Sequence, residues 1–334
     1  MNQVMEEAGE IESLLTAQGW KSVEVIKSLE SEKDANYLFK SNETFFVAKI
    51  FHAGTHASDI TLMVDAMKLA RDRNIRVPCP GAIVCVRIRD TEHFMMVYEL
   101  IPGDVLDGKL ENGTSWEISV KVAALLGQLC ECFSSKYQSS KTFREEGICE
   151  WNFYNFSKVV SAGEFEFISP EIVSQWEQGV RSLPTQLCHY DCNLDNILIL
   201  STNDPHGIGI VDFGDVDVGP RIADLSIFLT YIIGKRLCCD CPPTFQDLVK
   251  WVKEQVSEFQ SEISIPLSRE EEKAIPILVL MRALMSVCIQ TKNMRVNPMN
   301  SLYLSKSIAS NKKLIDFILS VKLNVWQQLF SSSK

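Results

Sequence analysis

The sequence predicts an α+β protein of two lobes, a mostly β lobe followed by a mostly helical one. Three observations carry that prediction. Period-two alternation and short apolar runs dominate the first 100 residues, helical apolar stripes dominate the remainder, and one short hairpin is embedded among the later helices.

Glu6 to Trp20 reads as an opening helix. Ser22 to Leu29 begins with apolar Val23 and Val25 alternating with polar Ser22 and Glu24, the mark of a half-buried strand. Tyr37 to Lys40 and Thr44 to Phe51 follow as strands, joined by a hairpin turn at Ser41-Asn42-Glu43. From His56 to Arg73, Ile60, Met63, Val64, Met67 and Ala70 recur at helical spacing, and Val77-Pro78-Cys79-Pro80-Gly81 ends the run. Two more strands, Ala82 to Ile88 and Phe94 to Leu100, complete a five-stranded antiparallel sheet with one long helix. Ile101-Pro102-Gly103 breaks the pattern and places a hinge at 97–104, between an N-terminal lobe 1–100 and a C-terminal lobe 101–334. Beyond it, Ile118, Val122, Leu125, Leu126, Leu129 and Phe133 form one apolar helical face. Further helices read at Ile222 to Ile233, Phe245 to Phe259, Arg269 to Gln290 and Leu302 to Leu329. Two short strands, Ile197 to Leu200 and Gly207 to Val211, form the embedded hairpin around Ser201 to His206.

Composition narrows the function classes. Net charge is −10, with 33 basic residues against 43 acidic, which argues against a nucleic-acid binder. Met1 to Glu12 holds four acidic residues and no apolar stretch, unlike a secretory leader. The 11 cysteines are an odd number, as expected of free thiols in a reducing, cytoplasmic setting, and Cys238-Cys239-Asp240-Cys241 lacks a second ligand pair at zinc-finger spacing. The longest apolar run, Ile277 to Ile289, is interrupted by Arg282 and is short for a membrane span. No dimer seam is legible, and oligomeric state stays open.

The chemistry lies around the embedded hairpin. His189-Tyr190-Asp191-Cys192-Asn193-Leu194-Asp195-Asn196 precedes it, and Asp212-Phe213-Gly214 follows it. Phosphoryl transfer asks a protein for a residue that orients the nucleophile and accepts its proton, and for oxygen ligands to magnesium on the phosphates. Asp191 suits the first task as catalytic base, and Asn196 and Asp212 suit the second as hard oxygen donors.

These segments resemble the aminoglycoside phosphotransferase and choline kinase family, relatives of the protein kinases. Ala223-Asp224-Leu225-Ser226 resembles the family's Asp-Leu-Ala stretch, and Phe46-Val47-Ala48-Lys49-Ile50 its third strand, whose Lys steadies the α- and β-phosphates. Ser31-Glu32-Lys33-Asp34-Ala35-Asn36, the connector Met96 to Gly103, and Cys149-Glu150-Trp151-Asn152-Phe153 are similar to segments of hydroxylysine kinase-like members. The resemblance implies a bilobal protein-kinase-like fold whose N-terminal lobe binds nucleotide. It implies nucleotide contacts at Lys49, Ser31, Asn36, Glu99 and Ile101, with Mg2+ and GTP or ATP as donor. The implied acceptor is the side-chain hydroxyl of 5-hydroxy-L-lysine, or a hydroxyl of another hydroxylated amine (choline, homoserine, an aminoglycoside) or of methylthioribose. Asp195, Asp215 and Asp217 are candidates for attracting its ammonium groups, and Trp151 is a candidate pocket wall. Arg282 would meet its carboxylate or form an internal salt bridge.

Three departures stand out. The turn between Leu29 and Tyr37 has no glycine, and the helix His56 to Arg73 has no Glu to pair with Lys49, leaving Asp59 or Asp65 as substitutes. Tyr190 stands where relatives commonly have Gly, which would alter local packing and the acceptor pocket; His189 is read as hydrogen-bonding the loop backbone. The first two departures also admit a nucleotide-binding pseudokinase.

Overall fold

The computed structural model describes residues 2–29, 31, 34–111, 116–134, 149–160, 165, 167–200, 207–296, 301–321 and 325–326. Helix α1 (Asn2–Ala17) leads into strands β1 (Glu24–Leu29), β2 (Ala35–Ser41) and β3 (Thr44–Ile50). Helix α2 (Ala57–Asp72) crosses to β4 (Ile83–Ile88) and β5 (Thr91–Glu99). The five strands form one antiparallel sheet in the order β1-β2-β3-β5-β4. Asn42 and Glu43 turn the β2–β3 hairpin at φ 47° and 68°, and Arg89 and Asp90 turn β4–β5 at 45° and 66°. Two successive positive φ values match the twist of the flanking strands.

The remaining elements are β6 (Asp104–Val105), α3 (Leu106–Glu111), α4 (Ile118–Ser134), α5 (Phe156–Val159), α6 (Pro170–Arg181) and β7 (Thr185–Cys188). After them come β8 (Ile197–Ile199), β9 (Ile208–Ile210), β10 (Asp217–Pro220), α7 (Ala223–Leu237), α8 (Phe245–Ser261), α9 (Arg269–Val296) and α10 (Ser301–Val321). The predicted hairpin is β8–β9, to which β6 adds a third strand; its connecting residues 201–206 lie outside the described residues, as does part of the predicted final helix. Sequence reading missed α6 and the β7–β10 pair. The start of α6 carries a local signal, since Ser169 accepts the Ile172 N–H and Pro170 opens the helix.

The sheet has two dissimilar faces. Against one, Ile11 and Leu15 of α1 pack on Phe39, Ala48, Ile50, Val86 and Met95. Strand alternation sends Lys49 and Met96, which pair across β3 and β5, to the other face. There Ile60, Met63 and Met67 of α2 join an apolar cluster that continues through Val122, Leu126 and Phe133 of α4. The long helix thus shares its core with the helical region. The apolar run around Arg282 lies in the fold within a helical stretch of 27 residues, Arg269–Arg295, long enough to cross a bilayer. Its most apolar window is 83% buried inside the protein, which makes it a core helix.

Candidate active site

Two strand pairs gather the motif. Pairing of β7 with β10 sets Cys188 opposite Asp217, and pairing of β8 with β9 sets Ile197 opposite Ile210. The Val211 N–H then donates to the Asn196 carbonyl at 2.9 Å, so the loops bearing Asn196 and Asp212 lie side by side.

The loop before β8 is pinned from three sides. Asp224, buried at the start of α7, accepts the backbone N–H groups of His189 and Tyr190, each at 2.9 Å. Burial pushes its carboxyl above the ordinary value despite those donors. His189 Nδ1 faces the Asp191 N–H at 3.2 Å and must accept; its Nε2 therefore carries the proton and donates to the Val211 carbonyl at 3.1 Å. Burial holds this imidazole below its ordinary pKa, consistent with a neutral ring that stitches one loop to the other.

Tyr190 sits at φ 66°, a left-handed conformation that costs a side-chain-bearing residue of order 1 kcal/mol and suits the Gly of the resembling family. Its ring is fully buried and its hydroxyl donates to Asn152 Oδ1 at 2.8 Å. A Cβ on Gly219 would overlap that hydroxyl, so Gly219 makes the room. The expectation that Tyr190 reshapes the acceptor pocket is corrected: its ring points into the core. Asn152 in turn donates to Asp217 Oδ2 and the Val218 carbonyl, both at 3.0 Å, and the Cys149 N–H reaches Asp217 Oδ2 at 2.9 Å. Asp217 is fully buried in this network, which removes it from the carboxylates available to an acceptor.

Asp191 is held by side-chain donors on both oxygens. Asn193 Nδ2 reaches Oδ1 at 2.9 Å and Arg282 Nη2 reaches it at 3.0 Å, while Asn196 Nδ2 reaches Oδ2 at 2.6 Å. Asn196 Nδ2 also donates to the Asp191 carbonyl at 2.9 Å, which leaves the amide oxygen of Asn196 as the atom of that side chain able to meet a cation. Asp212 adopts φ 59° and ψ 74°, and its Oδ1 accepts the Gly214 N–H at 3.3 Å. The Lys49 ammonium holds the Asp212 carboxyl below the usual range, so it stays an anion. Asp212 and Asn196 together present hard oxygen donors, and no group of three or more His, Cys, Asp or Glu side chains able to hold a metal occurs among the described residues. That donor set fits a magnesium ion shared with substrate phosphates better than a metal caged by protein alone.

Lys49 is 4% exposed. Its Nζ lies 2.9 Å from Asp34 Oδ2 and 3.1 Å from Asp212 Oδ1. Burial alone would lower its pKa, but the two carboxylates outweigh it and hold the ammonium above its ordinary value. Tyr98, across β5, has its phenol pushed up to about 12 by burial. The partner of Lys49 is therefore not Asp59 or Asp65 of α2, as the sequence suggested, but Asp34 at the entry to β2. Hairpin register explains it: Asn36 pairs with Lys49, so Asp34 falls just beyond the lysine on the neighbouring strand. Counting back from the Asn42–Glu43 turn would have located it. Asp34 is itself oriented by the His52 N–H, 3.1 Å from Oδ1.

The other predicted contacts scatter around this centre. Asn36 is 9% exposed, and its Oδ1 is buried without a hydrogen-bond partner among the described residues, an acceptor set beside Lys49. Ser31 is half-buried at the same turn. Glu99, exposed, ends β5, and Ile101 is half-buried just beyond it. Asp195 is exposed, and Asp215 is half-buried and accepts the Cys149 thiol at 3.2 Å. Trp151 is 5% exposed, and the Arg282 guanidinium lies over its ring, 4.2 Å from the centroid. Of the two roles weighed for Arg282, the structure contains the internal salt bridge, to Asp191. Sequence reading gave no positioning role to Asp34, Asp224, Asn152 or Tyr231.

Residues 25–248 match the model of the phosphotransferase enzyme family, APH, and the chain belongs to that family. It is 29% identical over 184 residues to hydroxylysine kinase of Xenopus laevis, a match covering 49% of this chain and less than half, 46%, of that relative. Among solved structures, amicoumacin kinase in complex with AMP-PNP, Ca2+ and Ami is similar with a TM-score of 0.68 at 15% identity, covering 95% of this chain and 96% of that one. A microcompartment-associated aminopropanol kinase gives 0.62 at 16%, covering 94% and 99%. A choline/ethanolamine kinase family protein from Mesorhizobium loti gives 0.58 at 14%, covering 98% and 99%. At such identities the structures speak for the fold, which is bilobal and protein-kinase-like.

Proposed function

We propose that the chain transfers the γ-phosphoryl group of GTP or ATP to the side-chain hydroxyl of a small hydroxylated amine, with 5-hydroxy-L-lysine the leading acceptor. The observation that carries this reading is the convergence of Asp191, Asn196 and Asp212 on two adjoining loops, with Lys49 bridging Asp212 and Asp34. Asp191 orients the acceptor hydroxyl and takes its proton as the oxygen attacks phosphorus. Lys49 meets the α- and β-phosphates, and Ser31, Asn36 and the connector at Glu99 and Ile101 hold the rest of the nucleotide. Asn196 and Asp212 hold Mg2+, which neutralises phosphate charge when bound. Asp195 and Asp215 offer carboxylates to the acceptor's ammonium groups, and Trp151 walls the pocket. The lobes meet at 97–104, in a cytoplasmic enzyme.

The hydroxylysine assignment is supported by the partial likeness to the Xenopus laevis enzyme. The motive for a silent pseudokinase weakens, because Asp34 meets the lysine that α2 leaves without a Glu. Two experiments test the reading. A thermal shift with GTP and with ATP, each with and without magnesium, should show magnesium-dependent stabilisation by at least one of them. Transfer to 5-hydroxy-L-lysine, choline, homoserine, methylthioribose and an aminoglycoside should favour the first; equal turnover of all five would reject the specific acceptor.

A further inference from the structure

Arg282 lies in the middle of α9, and its neighbours Met281, Ala283, Leu284 and Met285 are all fully buried. The Arg282 side chain is itself only 1% exposed. A buried guanidinium carries a large desolvation cost, and an apolar side chain of similar volume would pack there more cheaply. Something specific must offset that cost, and the contacts show what. Nη2 donates to Asp191 Oδ1 at 3.0 Å, Nη1 to the Tyr190 carbonyl at 3.3 Å, and Nε to the Tyr231 hydroxyl at 3.3 Å. The plane of the fork is fixed as well, with Trp151 at 4.2 Å and Tyr231 at 5.6 Å from the guanidinium carbon.

We infer that Arg282 is a positioning residue for Asp191, fixing the orientation of its carboxylate from a helix some ninety residues away in sequence. The inference rests on the proposed role of Asp191 as base. Asn193 and Asn196 grip that carboxylate from within its own loop, and a loop can swing as one piece. Arg282 instead ties it to the rigid core helix, through both the carboxylate and the backbone of the preceding residue. Two aromatic rings from other elements, Trp151 and Tyr231 of α7, then set the direction from which the guanidinium approaches. Lysine could supply the charge but neither the planar stack nor the paired contacts to Tyr190 and Asp191. A displaced carboxylate would lose the near-attack alignment of the acceptor while leaving the nucleotide site intact.

The test compares Arg282→Ala and Arg282→Lys with the wild type and Asp191→Asn. Transfer to 5-hydroxy-L-lysine and nucleotide hydrolysis, with water as acceptor, are both measured. Arg282→Ala should lose about 100-fold in kcat while the nucleotide KM stays within about threefold, and Arg282→Lys should lose about tenfold. Millimolar guanidinium chloride should restore about tenfold to Arg282→Ala and nothing to the wild type. A kcat within about threefold of wild type in either variant would overturn the inference, as would folded Arg282→Ala without guanidinium rescue. Where Arg282→Ala fails to fold by circular dichroism, the Lys variant alone decides. Full rate in Asp191→Asn would instead remove the base itself, a failure of the functional reading.

Discussion

Lys49 and Arg282 are both buried, at 4% and 1% exposure, and each sits against an aspartate of the motif. They hold those aspartates differently. Lys49 is a compact charge shared by two carboxylates, Asp34 at 2.9 Å and Asp212 at 3.1 Å, and the Asp212 side chain is 41% exposed. A phosphate arriving from the open side can compete for that ammonium. Arg282 directs its fork to Asp191, Tyr190 and Tyr231 and lies against the rings of Trp151 and Tyr231. The first cation suits a site where a ligand's negative charge must be met, the second a site where a side chain must not move.

That contrast can be broken or sharpened by substitution. The largest effect is expected at Asp191: Asp191→Asn should lower kcat by about 10²–10⁴-fold with nucleotide affinity nearly unchanged, as steady-state kinetics and nucleotide titration would show. At the other cluster the loss should fall on binding. Asp212→Ala should weaken the magnesium–nucleotide complex by about 10²-fold, read by calorimetry with and without magnesium. A loss confined to kcat there would erase the distinction between the clusters. Smaller still, Asp34→Asn should cost about tenfold in kcat/KM for nucleotide, while Asp59→Asn and Asp65→Asn stay near wild type. A larger loss at either helix aspartate would return the partner of Lys49 to α2.

The smallest effect concerns His189, which joins the two clusters. Its folded pKa is depressed below the ordinary 6.5, so the unfolded chain binds its proton more readily. Its contribution to stability is complete above the unfolded pKa and is lost as pH falls below it towards the folded one. Denaturant unfolding from pH 7 to pH 5 should therefore show less loss in His189→Gln than in the wild type.

How much of this was legible in the sequence follows from the range of each interaction. The five strands, the long helix and the β8–β9 hairpin announced themselves through local periodicity and turn residues. The motif on either side of the hairpin was legible because its chemistry is local to two short loops. Asp34 lay within reach, since one hairpin's register places it just beyond Lys49 on the neighbouring strand. Arg282 was visible as a charge in an apolar run. That it meets Asp191 depends on how α9 packs against a loop, which no local pattern encodes. Tyr190 was legible only as an oddity, because its positive φ and the space above Gly219 are tertiary facts.

The most direct measurement is phosphoryl transfer from GTP and from ATP, in parallel, to 5-hydroxy-L-lysine, with L-lysine as the acceptor lacking the hydroxyl. Phosphorylated hydroxylysine, lost on Asp191→Asn, and no product from lysine are the expected outcome. No product from hydroxylysine with either donor, in folded enzyme with magnesium present, would contradict the assigned acceptor.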